Sequence, residues 1–162
     1  MVKHTTPNRA DVGSSPTSPA KKESRDNMVE FTIQGKPRGK DRPRFSRRGN
    51  FISTYNTTGT IEYEKIVKYH YLGVSIPCPE YIGKVSIYIN AYFKPPKSTS
   101  KKKFKDMIGT PYLKKADCDN IAKIICDALN GLAYKDDSQI SNLVVTKTYD
   151  EEERVEVKIV YG

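Results

Sequence analysis

The chain has 162 residues, with 28 Lys plus Arg against 19 Asp plus Glu, a formal net charge of +9, and only 36% hydrophobic residues. That length suits one domain with a real core, and the low apolar fraction points to a charged or disordered segment diluting a smaller globular part. No apolar run approaches the roughly 18–20 residues of a membrane span, the start lacks a signal-peptide stretch, and Cys78, Cys118 and Cys126 form no CxxC pair, so a membrane partner, a disulfide scaffold and a Cys-rich zinc site are disfavoured and a cytoplasmic, reducing location is expected.

Residues 1–27 are rich in Ser, Thr, Pro and charge and almost free of aliphatics, which predicts a disordered tail, with the folded domain over 28–162. Val29, Phe31 and Ile33 alternate with polar residues, the period of a half-buried strand. The stretch 36–48 (KPRGKDRPRFSRR) reads as a loop, and 51–54 as a short strand. Residues 57–71 read as a helix capped by Thr57 or Thr60, with Ile61, Ile66 and Val67 on one face. Val85, Ile87, Ile89 and Ala91 mark a strand stopped by Pro95-Pro96. Residues 97–115 read as a loop with at most one helical turn.

The clearest helix starts near Asp119 or Asn120. At about 100° per residue, Ile121, Ile124, Ile125, Ala128 and Leu129 form one apolar stripe, opposite Asn120, Lys123, Asp127 and Asn130. Asn130-Gly131 is a C-terminal stop. Residues 139–149 and 154–161 are β-rich and read as an antiparallel hairpin. The expected fold is α+β, a two-layer sandwich of a mixed, mostly antiparallel sheet with two main helices on one face.

The charge is unevenly placed. Residues 36–48 carry a net +6 and 94–115 a net +7, while residues 1–27 carry +2, so the remainder is net acidic. Two concentrated basic segments are the footprint of a polyanion partner. The candidate DNA contacts are Lys36, Arg38, Lys40, Arg42, Arg44, Arg47 and Arg48 in the first, and Lys101, Lys102, Lys103, Lys105, Lys114 and Lys115 in the second.

Histidine is limited to His4 and His70, so any hydrolytic chemistry falls to carboxylates. Asp117 and Asp119 are two apart just ahead of the clearest helix, which in an extended segment puts both on one side of the chain. Asp136 and Asp137 follow the helix and could fold back toward them. Carboxylates gathered this way suit a hard divalent cation such as Mg²⁺, and Lys123 lies one turn into the helix on its polar face. Each member also has a plain structural explanation: Asp119 or Asn120 as a helix cap, Lys123 and Asp127 as an i, i+4 pair, Asp136-Asp137 as a turn. Two other readings compete. Glu156-Val157-Lys158 is an E-x-K on a strand, although the alternation makes it the exposed face of an ordinary edge strand. A junction- or DNA-binding protein without chemistry would need none of the aspartates for catalysis.

The run Asp117-x-Asp119-Asn120-x-x-Lys123-x-x-x-Asp127-Ala128-Leu129-Asn130-Gly131, followed by Asp136-Asp137-Ser138-Gln139, resembles the signature of the RusA family of Holliday-junction resolvases, often encoded by phages and prophages. Gly35-Lys36-Pro37 through Lys40 and Arg42-Pro43-Arg44-Phe45 is similar to the opening of such proteins. The resemblance covers roughly residues 28–161. It implies a homodimeric, Mg²⁺-dependent endodeoxyribonuclease that places paired symmetric nicks across a four-way DNA junction, with Mn²⁺ a substitute and no organic cofactor. Position by position, Asp117, Asp119 and Asp137 match the family's metal-binding aspartates, Lys123 its catalytic lysine, and Asp136 the weaker half of the acidic pair. Ala116 stands where many members have Pro.

Overall fold

The computed structural model describes residues 27–162. The tail expected to be disordered, 1–27, lies outside the described residues apart from Asn27. The elements are β1 (Met28–Gln34), β2 (Arg44–Arg48), β3 (Phe51–Tyr55), α1 (Thr58–Leu72), β4 (Val85–Phe93), α2 (Lys101–Met107), α3 (Cys118–Leu129), β5 (Ile140–Tyr149) and β6 (Arg154–Tyr161).

Four strands form the main sheet in the order β1-β6-β4-β5, antiparallel at the first two junctions and parallel at the third. The alternating residues are in register across it: Ile33 faces Val155, and Val157 lies between Phe31 and Ile89. Their apolar sides make one buried face, against which the helices lie. The α+β fold with a mixed sheet is therefore as the periodicities predict.

The expected hairpin of 139–149 with 154–161 does not form. β4 inserts between those two strands, pairing with β5 on one side and β6 on the other. Every second residue of β4 is buried, and at the centre of the sheet both of its backbone edges are satisfied. Strands two apart lie about 10 Å from each other, a gap that residues 150–153 can span. They cross over the end of β4, where the Asp150 N–H donates to the Phe93 carbonyl at 2.9 Å. β6 is accordingly an interior strand, not an edge.

Helix α1 starts at Thr57, whose side chain accepts from the Thr60 N–H. Its buried stripe is Thr60, Tyr63, Val67 and Tyr71, and the expected face is corrected: Ile61 and Ile66 are exposed. Two tyrosine rings cover more core than two isoleucines, and Tyr71 meets Phe31 edge-on with ring centroids 6.0 Å apart. In α3 the predicted stripe is buried throughout, and the Asn130 N–H closes the helix on the Cys126 carbonyl.

Both basic segments are more ordered than loops. The second contains α2, seven residues capped by Ser100. The first ends in β2, which pairs antiparallel with β3 in a separate two-stranded ribbon. Its earlier half is tied to the helical layer by Lys40. That ammonium pairs with Glu64 of α1 at 3.1 Å and with Asp127 of α3, and the Lys40 N–H donates to the Asn120 carbonyl at 2.9 Å. Burial works to lower the Lys40 pKa, but the hydrogen bonds and charges of Asp127 and Glu64 outweigh it and raise it.

Three substitutions test this packing. Ile124→Ala, at a fully buried site, is expected to cost about 2–5 kcal/mol, and Ile66→Ala no more than about 0.5 kcal/mol, both read from the denaturant midpoint at unchanged slope. Lys40→Met leaves two half-buried carboxylates unpaired and is expected to cost about 1–3 kcal/mol. A raised pKa favours the folded state below the ordinary lysine value of about 10.4. The Lys40→Met deficit should therefore hold from neutral pH to that point and shrink as pH rises through the raised value.

Candidate active site

The site is built on the N-terminus of α3. The chain reaches it along the outer side of β5: Thr110 accepts from the Tyr149 N–H, and the Tyr112 N–H donates to the Lys147 carbonyl, both at 2.9 Å. Ala116 then adopts φ +84, a left-handed conformation that a side chain disfavours by roughly 1–3 kcal/mol. Lys147 holds it there, its ammonium donating to the carbonyls of Ala116 at 2.9 Å and Lys114 at 3.1 Å. Proline, with φ fixed near −65°, could not take this conformation.

Asp117 occupies the N-cap with extended backbone, yet its side chain makes no capping bond. Asp119 is the second helical residue, so the pair does not sit on a single extended segment as the spacing suggested; the helix begins at Cys118. Both carboxylates are exposed, and neither takes part in an ion pair among the described residues. The helix dipole stabilises negative charge at this end. Lys123 is exposed on the outer side of α3 and is likewise outside every ion pair.

Asp136 and Asp137 part company. The Asp136 carboxylate accepts from the Ser138 N–H at 2.9 Å, and the Gln139 side chain returns to the Asp136 N–H, a capping box that closes a single 3₁₀ turn. The bonds from Ser138 hold the Asp136 carboxyl below its usual pKa. Asp137 is exposed, and its carboxylate forms no ion pair. Its charge reaches the buried pair behind α3: burial first, then Asp127 and Asp137, push the Cys126 thiol up to about 11, while the Tyr134 hydroxyl donates to the Cys126 carbonyl at 3.0 Å.

Among the described residues no three His, Cys, Asp or Glu side chains are gathered closely enough to hold a metal ion. Asp117, Asp119 and Asp137 are thus not a preformed cage. The donor set nevertheless fits Mg²⁺, which takes one or two protein carboxylates and completes its shell with water and substrate phosphate. Unpaired oxygen donors at an exposed helix end meet that requirement.

Twelve of the thirteen candidate DNA contacts are exposed. Arg38 is paired with Asp41 at 2.8 Å, and Lys40 is turned inward, its ammonium committed to Glu64 and Asp127. The two basic segments, 58 residues apart from Lys36 to Lys94, converge: Lys36, Lys94, Lys97 and Lys114 line one cleft floored by Phe93, Tyr112 and Tyr149. Lys147, which orders the approach to Asp117, was missed from sequence because nothing in its strand distinguishes it from an ordinary surface lysine. The E-x-K residues are otherwise engaged: Glu156 bonds Arg154 at 2.8 Å and Tyr92 at 3.2 Å, and Lys158 pairs with Glu30 at 3.1 Å.

No helix among the described residues is long and apolar enough to cross a membrane. The family model Endodeoxyribonuclease RusA matches residues 34–160. The chain is also 39% identical over 139 residues to the uncharacterised protein YqaN of Bacillus subtilis strain 168, covering 82% of this chain and 96% of that relative. The family match runs from the last residue of β1 to the penultimate residue of β6 and includes the whole acidic helix, so the chain belongs to the RusA endodeoxyribonuclease family.

Proposed function

We propose that the protein is a Mg²⁺-dependent, structure-selective endodeoxyribonuclease that resolves four-way DNA junctions by paired symmetric nicks. The observation that carries this reading is the uncapped N-terminus of α3. Asp117 and Asp119 stand exposed and unpaired there, with Lys123 one turn on, Lys114 and Lys115 just ahead in the chain, and the first basic segment meeting Asn120 through Lys40. Carboxylates beside a phosphate path weaken binding unless a cation offsets them, so their position needs a use. Asp137 is the third ligand in this reading, with Asp136 limited to supporting the turn that presents it.

A divalent cation bound by these aspartates would polarise the scissile phosphate and make a nucleophile of water at neutral pH. The chain's own residues do the rest. Asp117 and Asp119 offer fixed oxygen donors on a rigid helix end. Lys123 brings a positive charge to the phosphate as negative charge grows on it during in-line attack. The lysines of the cleft and of α2 hold the flanking backbone, with salt-sensitive affinity. Two copies related by a two-fold axis would present equivalent sites to the equivalent strands of a junction. The outward side of α1, with Ile61, Tyr69 and Leu72 exposed, is the surface we assign to that pairing.

The absence of a preformed acidic cluster among the described residues favours a second reading, a junction-binding protein without chemistry. One assay separates the two: a synthetic four-way junction and a linear duplex, each with Mg²⁺ and with EDTA. Paired nicks on the junction alone, lost in EDTA and restored by Mg²⁺ or Mn²⁺, are expected; binding without nicking under every metal condition would establish the second reading. Asp119→Asn is expected to keep junction affinity and lower cleavage by at least about 10²-fold, the scale of a single transition-state contact. Lys123→Ala should lower turnover by about 10²-fold with little change in binding, whereas a pure affinity loss would remove it from the chemistry. Glu156→Ala should leave cleavage unchanged.

A further inference from the structure

The β2–β3 ribbon stands apart from the main sheet, pairing with no other strand, and all ten of its strand residues are exposed. Five residues per strand give a ribbon about 17 Å long. It is a defined hairpin. Arg48 faces Phe51 across the two-residue turn Gly49-Asn50, and Gly49 at φ +62 supplies the first position of a type II′ turn, which only glycine takes readily. An isolated hairpin is marginal in water, and this one exposes large apolar side chains: Phe45 at 75%, Phe51 at 83% and Ile52 at 70%.

Residues directly opposite in an antiparallel pair share a face. One face therefore carries Arg44, Tyr55, Arg48 and Phe51, and the other Phe45, Arg47 and Ile52. Each face combines guanidinium with an aromatic ring, and residues 42–61 contain no acidic side chain. The guanidinium groups call for a polyanion. The rings call for flat apolar partners. An intact duplex presents base edges in its grooves and keeps base faces stacked; base faces are offered only where stacking is interrupted. The root of the ribbon lies beside the acidic helix end. A Cβ on Gly39 would approach the Asn120 Cβ to 2.9 Å, and Lys40 is hydrogen-bonded to Asn120. Arg44 follows only four residues later, behind Pro43, within about 14 Å of that contact.

We propose that the β2–β3 ribbon is a branch-sensing arm, which enters the open centre of branched DNA and lays Phe45, Phe51 and Tyr55 against unstacked base faces while its arginines hold the surrounding phosphates. This rests on the junction reading above and deepens it: the arm, rather than the lysine cleft, is what distinguishes a branch from a duplex. A second copy of the chain is the competing occupant, but two arms each bearing four arginines over 42–48 would repel one another.

The test uses the full-length protein in EDTA, so that binding is read without cleavage. Wild type and Phe45→Ser/Phe51→Ser are titrated against a four-way junction carrying 2-aminopurine at the branch and against a linear duplex. Both positions lie outside the core, and a thermal melt of the double variant superimposing on wild type shows that the fold is intact. Wild type is expected to prefer the junction and to brighten the 2-aminopurine. The double variant should lose about tenfold or more in junction affinity, the scale of one lost base stack, with duplex affinity within about twofold and no brightening. A double variant that keeps both the preference and the brightening would overturn the arm proposal and leave the junction reading standing. A wild type that binds junction and duplex alike overturns both. A change from dimer to monomer on sedimentation of the double variant would make the ribbon a subunit contact and overturn the arm proposal alone.

Discussion

Everything at the acidic site depends on the burial of α3. Seven of its twelve residues are buried, and the isoleucines and leucine among them each stabilise the folded chain by roughly 1.5–3 kcal/mol. The helix cannot rotate without exposing that stripe. Its far end is fixed as well, because Tyr134 is fully buried and bonds the Cys126 carbonyl. With one face and one end immobile, the exposed end has a set position. Asp117, Asp119 and Lys123 are carried on it as on a rigid arm, the condition that the chemistry proposed for them would require.

The backbone just before the helix has a less favourable conformation, and the reason lies in the sheet. Ala116 keeps a left-handed φ only because its surroundings impose it, as strained residues generally require. The imposing element is β5, whose outer edge pairs with residues 110–112 and whose Lys147 binds two carbonyls of the approach. β5 can do this because it runs parallel to β4 at the edge of the sheet; paired with β6 as a simple hairpin, it would not lie beside the 109–116 segment. The insertion of β4 thus links sheet topology to the orientation of Asp117.

Much of this was legible in the sequence. Strong periodicity identified α3, β4 and β1, and the acidic spacing drew attention to the helix that carries the candidate site. The errors have physical causes. Residues 139–149 and 154–161 are neighbours in the chain, but β4 offered two open edges and took one from each. The face of α1 was misjudged because isoleucine is the more apolar residue, while tyrosine supplies the larger area. The β2–β3 ribbon was hidden by its arginines, although Gly49-Asn50 between two β-compatible runs was a usable turn signal. Lys40 belonged to a basic segment by composition, and only the three-dimensional meeting of Glu64 with Asp127, 63 residues apart, turns it inward.

The pairing of charges sorts the remaining residues. Ion pairs among the described residues join Arg38 to Asp41, Lys40 to Glu64 and Asp127, Arg154 to Asp150 and Glu156, and Lys158 to Glu30. These tie a loop to itself, a loop to two helices, and one strand to its neighbours, so their work is structural. Asp117, Asp119, Asp137 and Lys123 are absent from the set, as are the arginines of the ribbon and the lysines of α2. Exposed groups such as Glu62, Lys65 and Lys135 lie outside the set as well; in the reading proposed above, a cation would complete the electrostatics of the helix-end carboxylates and a phosphate backbone those of the ribbon and α2.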